Sequence, residues 1–158
     1  MTIDYLELVD SCFCTNTRIL ARKVTRIYDS FLAPSGININ QLSILLTIQG
    51  INQRSEQKDA SARDIAEYLG MDTSSISRSL RSLEKQHIID MVAPESNRRK
   101  KHIELTKHGE EVLMTAFPFW QEAQKEIRKQ LGPENFSNMI NLLTHITPEI
   151  NQPLPSER

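Results

Sequence analysis

The sequence predicts a mainly α protein, a winged helix-turn-helix DNA-binding domain whose flanking terminal helices form a dimerisation module. Three observations predict it. Apolar residues recur at threes, fours and sevens over most of the 158 residues, with only five glycines to interrupt them. Between Ser61 and Gln86, two such stretches meet at Gly70, as the two helices of a helix-turn-helix do. The period then becomes strand-like over 88–93 and 102–105, around a polar, basic loop, PESNRRKK.

Taken in order, Val9, Phe13, Leu20, Val24, Ile27 and Phe31 predict one long amphipathic helix, ended by Pro34, Ser35 and Gly36. A helix of about 25 residues spans roughly 37 Å, longer than a small core covers, so its overhang calls for a partner. Arg18, Arg22, Lys23 and Arg26 read as its solvated side. Cys12 and Cys14 lie two positions apart, which on a helix is about 200° around the axis. They would pair as a disulfide only if the helix unwound, and a free cysteine there is ordinarily a packing residue. Asn38 or Asn40 can cap the next helix, with Leu42, Leu45, Leu46 and Ile48 as its stripe. Its end dissolves into GINQRSEQKDA, which reads as a polar loop.

The helix-turn-helix follows. Ser61 can cap a short helix with Asp64 in its first turn and Ala62, Ile65, Ala66 and Leu69 on one side. After Gly70, Asp72 or Thr73 can cap a second helix reaching Gln86. Ile76, Leu80 and Leu83 share its inner face, and Ser74, Ser75, Ser77, Arg78 and Arg81 its outer face. From Arg78 to His108 there are eight Lys/Arg against four acids. That is +4 in a chain of net charge −1, so the remainder carries −5. Basic charge gathered on the second helix and the hairpin is the footprint that phosphate binding needs.

After the hairpin, Thr106 can cap a long helix to Leu131, lined by Val112, Ala116, Phe119, Trp120, Ala123, Ile127 and Leu131 and bent at Pro118. Gly132-Pro133 breaks it. A last helix carries Phe136, Met139, Ile140, Leu143 and Ile146 and is expected to stop before Pro148, leaving a loose polar tail. The organisation expected is an N-terminal dimerisation helix over 1–36, the winged helix-turn-helix over 37–105, C-terminal helices completing the dimerisation module over 106–147, and the tail over 148–158.

Several function classes find no support. His87, His102, His108 and His145 stand without metal-ligand spacing, and there is no Gly-rich phosphate loop or nucleophile elbow, so neither an enzyme nor a metal or cofactor protein is expected. No apolar run approaches a membrane span, and MTIDYLELVD lacks a signal-peptide pattern, so a cytoplasmic protein is expected.

The runs ASARDIAEYLGMDTSSISRSLRSLEKQHII and NRRKKHIELT, followed by KHGEEVL, resemble the core of the MarR-type transcription regulators. The upstream run NTRILARKVTRIYDSFLAPSGININQLSILLTI resembles the first two helices of that family, so the likeness covers about residues 8–147. It implies a homodimer on double-stranded, pseudo-palindromic operator DNA, most often a repressor released by a small molecule or an oxidant. The family's wing usually opens Asp-x-Arg; here Asn97 stands for the acid before Arg98 and Arg99. In organic-peroxide-sensing members a reactive cysteine lies early in the first helix. Cys14 occupies the matching position and Tyr28 matches one of its two tyrosine partners, while Arg18 stands in the place of the other. Cys14 is thus open to two readings, sensor or packing residue.

On residues and resemblance together, the N-terminal half of the second helix enters the major groove, with Thr73, Ser74, Ser75, Ser77 and Arg78 near bases and Arg81 at phosphate. Asn97, Arg98, Arg99 and Lys100 form the wing tip, where Arg suits a narrow minor groove. The competing readings are a sequence-indifferent architectural DNA binder and a winged helix used for protein contact.

Overall fold

In a computed structural model, residues 3–54, 60–92 and 102–149 are described. Seven α-helices and one hairpin appear among them: α1 (Tyr5–Ser11), α2 (Phe13–Leu32), α3 (Ile39–Arg54), α4 (Ala62–Leu69), α5 (Thr73–Lys85), β1 (Ile89–Val92), β2 (His102–Leu105), α6 (Lys107–Leu131) and α7 (Pro133–Glu149), with a 3-10 turn at Ala33–Ser35. The mainly helical winged architecture expected from periodicity is the one observed.

The first long helix is two helices. Cys12 is extended (φ −74°, ψ 113°), closing α1 and opening α2. Ser11, Thr15, Asn16 and Thr17 around it are residues that compete with the helix for backbone hydrogen bonds. Asn16 shows this directly, its Nδ2 donating to the carbonyls of Asp10 (2.8 Å) and Cys12 (2.9 Å). The 200° separation of Cys12 and Cys14 therefore does not hold, because Cys12 is not helical.

Helix α3 is central. Asn38 caps it in a reciprocal box, its Oδ1 accepting Gln41 N–H (2.9 Å) while Gln41 Oε1 accepts Asn38 N–H (3.0 Å). Leu42, Leu45 and Ile48 are buried as expected, but Ile44 is also buried while Leu46 is 45% exposed. Of the loop expected over 50–60, residues 50–54 are instead the last turn of α3, which carries Asn52 into the core, while 55–59 lie outside the described residues. Asn52 Nδ2 donates to Ile103 C=O (2.9 Å) and its Oδ1 accepts Ala60 N–H (3.0 Å); Ile103 N–H in turn reaches Ala60 C=O (2.8 Å). One buried amide thus ties α3, the entry to α4 and the hairpin together, each polar group satisfied.

The hairpin is antiparallel, with Ile89 opposite Leu105 and Val92 opposite His102. Ile76, Leu80 and Leu83 of α5 join Ile65, Ile88, Ile89 and Ile103 in one core. At its edge, Thr106 caps α6 by accepting Gly109 N–H (2.9 Å) and donating to His87 C=O (2.7 Å). Gly109 lies so close to the Ile88 carbonyl that a Cβ there would fall 2.0 Å from its oxygen. Helix α6 runs unbroken through Pro118, and α7 includes Pro148 in its last turn rather than stopping before it.

Candidate nucleic-acid interface

Helix α5 presents the outer face that the sequence singled out. Thr73, Ser74, Arg78 and Arg81 are exposed, and Ser74, Arg78 and Arg81, at i, i+4 and i+7, share one stripe. Ser75 and Ser77 are half-buried at its margin. The opposite face, Ile76, Leu80 and Leu83, is at most 1% exposed, so the helix has one rotational setting. A capping box on α4 fixes the approach to α5: Ser61 N–H donates to Asp64 Oδ2 (3.1 Å) and Asp64 N–H to Ser61 Oγ (3.3 Å), and Gly70 turns the chain at φ 61°.

The first turn of α5 is hydrogen-bonded through its own side chains. Asp72 Oδ1 accepts the Ser75 N–H (2.8 Å) and the Ser74 hydroxyl, and Arg78 Nη2 donates to Ser75 Oγ (3.1 Å). The Ser74 hydroxyl, then the hydroxyl and N–H of Ser75, and last the Arg78 charge, hold the Asp72 carboxyl well below the usual carboxylate range. Sequence reasoning treated Asp72 as a cap alone. The signal for more was an acid at the cap, serines two and three residues on, and an arginine at six. Asn97, Arg98, Arg99 and Lys100 lie outside the described residues.

Cys14 is exposed in the first turn of α2, and Tyr28 is half-buried, its phenol pushed up by burial. Fourteen residues of helix separate them by about 21 Å, so within one chain they do not meet. The thiol that the structure perturbs is Cys12, which sequence reasoning did not select. At the start of α2 it makes no formal capping bond, yet the Thr15 hydroxyl and N–H hold it below its ordinary value.

Away from α5, the terminal helices leave apolar surface open. Among the described residues none is buried in α1 or α7, and Leu142 and Leu143 are 59% and 42% exposed. A groove of about 440 Å³ runs between α2 and α7, lined by Leu20, Val24, Ile27, Phe136, Met139 and Leu143 among others. Arg128 stacks on the Phe136 ring (4.7 Å) and braces the α6–α7 elbow. No group of three or more potential metal ligands occurs among the described residues, and no single helix there is long and apolar enough to cross a membrane.

A capped two-helix unit, an outward polar and basic second helix and an antiparallel wing define the class: residues 38–109 match the family model described as a winged helix DNA-binding domain. The chain as a whole has the fold of the MarR-type regulators. It is 28% identical to M. tuberculosis transcriptional regulator MosR in complex with DNA, over 84% of this chain and 93% of that one, with a TM-score of 0.69. A mutant of E. coli MarR complexed with operator DNA is 17% identical over 93% and 100% of the two chains (TM-score 0.77). CouR from Rhodococcus jostii RHA1, bound to p-coumaroyl-CoA, is 17% identical over 93% and 98% (TM-score 0.69). No curated protein matches the sequence significantly.

Proposed function

We propose that this protein is a cytoplasmic, homodimeric, sequence-specific DNA-binding transcription regulator, a repressor that leaves its operator when a small ligand or an oxidant acts on it. The observation that carries this reading is the exposed Ser74–Arg78–Arg81 stripe on a helix whose other face is locked into the core. Such a helix enters the major groove in one orientation, so its side chains meet the same base edges each time. Thr73, Ser74, Ser75, Ser77 and Arg78 read bases, Arg81 meets phosphate, and Asn97, Arg98, Arg99 and Lys100 extend the contact along the duplex. Solved DNA complexes of MosR and MarR with the same architecture support it. Nothing in the site calls for catalysis.

The open face of α2 and α7 is covered by a second copy, which turns two α5 helices toward one pseudo-palindromic site. Residues 1–36 and the helices α6 and α7 supply that module, and 37–105 the DNA-binding region. For the effector, two sites stand. The groove between α2 and α7, floored by α6 and closed on its open side by the second copy, suits an apolar ligand; CouR, of the same fold, was solved with a small molecule, p-coumaroyl-CoA. The Cys12 thiol, lowered by its hydrogen bonds to Thr15 and two residues from the exposed Cys14, favours an oxidant as the second reading; within one chain Tyr28 lies too far from Cys14 to bond it. Mass spectrometry of both thiols after mild organic peroxide, beside DNA affinity, separates the two: a protein that stays on DNA with both thiols still reduced excludes the oxidant route.

The test of DNA reading compares Arg78→Ala with Arg99→Ala. Arg78→Ala should lose about 1–3 kcal/mol on the operator and little on random DNA. Arg99→Ala should weaken both and flatten the salt dependence by about one charge per subunit. Equal losses for Arg78→Ala on both duplexes would remove it from the base-reading set.

A further inference from the structure

We infer that Asp72 is a positioning residue that sets sequence specificity, by holding Arg78 ready for a base edge and by opposing its capture by phosphate. The inference rests on the DNA-reading role of α5 argued above. A solvent-exposed arginine ordinarily samples many rotamers, and a flexible cation is drawn to the phosphates that every duplex offers. Arg78 is instead anchored at Nη2 by Ser75 Oγ (3.1 Å), and Ser75 is itself fixed by its N–H on Asp72 Oδ1 (2.8 Å). The chain Asp72–Ser75–Arg78 runs from the exposed cap of the helix, through Ser75 at the margin of its outer face, to Arg78 on the exposed stripe.

The carboxylate also acts through its charge. Its hydrogen bonds keep it ionised across the physiological range. Any phosphate approaching this turn meets an anion beside the cation, so backbone attraction is reduced on all sequences alike. At the operator the directed guanidinium gains base acceptors that offset the repulsion. On other sequences only the repulsion remains. Asp72 thereby widens the ratio between specific and non-specific binding, a device that works by penalising the wrong partner.

Asn and Ser cap helices about as well as Asp but carry no charge, so Asp72→Asn and Asp72→Ser keep α5 formed. Wild type, both variants, Arg78→Ala and the double variant Asp72→Asn/Arg78→Ala should be titrated on the operator and on a scrambled duplex at several salt concentrations. Circular dichroism and thermal melting accompany each protein. Asp72→Asn should bind the scrambled duplex severalfold tighter with a steeper salt slope, and the operator no tighter. Its specificity ratio should fall about fivefold or more. With Arg78 already alanine, the same change should leave the ratio where it was. An unchanged ratio in Asp72→Asn and Asp72→Ser overturns the inference, as does an equal fall with and without Arg78. A lower melting temperature in both with the ratio intact reduces Asp72 to a cap. Failure of the underlying reading shows separately, as wild type without operator preference.

Discussion

The winged region and the terminal helices are built from similar amounts of apolar sequence and use it differently. In the first, Ile65, Ile76, Leu80, Leu83, Ile89 and Ile103 are all within 1% of full burial. In the second, Leu32 is the single buried residue among those described in α2, and α7 has none. A core closed within one chain holds α5 in a fixed setting, as a reading element requires. An apolar surface left open in one chain is a contact in waiting, and its geometry is set by whatever covers it. The molecule thus separates rigidity from assembly, and α6 links the two, buried at Gly109 near one end, at Ala116 and Ala123 along its middle and at Ile127 near the other end.

The seam between the regions is the place to break this contrast most strongly. Gly109→Ala would push a Cβ to 2.0 Å from the Ile88 carbonyl oxygen, which is backbone and cannot swing aside. Either α6 or the hairpin must shift, and the Thr106 cap goes with it. A loss of about 2–3 kcal/mol in urea unfolding is expected, as for overpacking of a tight site. An unchanged midpoint would mean that the wing and α6 are not rigidly joined.

Leu143→Asp sharpens the other half of the comparison. In one chain Leu143 is 42% exposed, so the unfolding free energy of the winged region should move by no more than about 0.5 kcal/mol. The dimer should weaken by about 2 kcal/mol or more, since a charge would enter the apolar contact without a partner. Sedimentation at several concentrations reads this. A dimer of unaltered strength would place the contact elsewhere.

How much of this was legible in sequence follows the same division. Helices α4 and α5 and the start of α6 stood out because caps, periodicity and breakers agree at Ser61, Gly70, Asp72 and Thr106. The break at Cys12 did not, because no glycine or proline marks it and local side-chain bonds such as those of Asn16 decide it. Helix α3 is packed on several sides, so spacing could not say that Ile44 is inside and Leu46 outside. The role of Asn52 depends on partners 8 and 51 residues away, a separation that no window of sequence contains. At the interface, Arg78 was evident from its face, while its link to Asp72 through Ser75 required the side chains.

The central claim, that two α5 helices read one pseudo-palindromic site, is tested most directly by sequencing the fragments of its own genome that the purified protein retains at physiological salt. A few fragments should be strongly enriched and share an inverted repeat, with half-sites about 10 base pairs apart centre to centre, one helical turn or roughly 34 Å. Retention spread evenly over the genome, or enrichment of single half-sites without a symmetric mate, would contradict it.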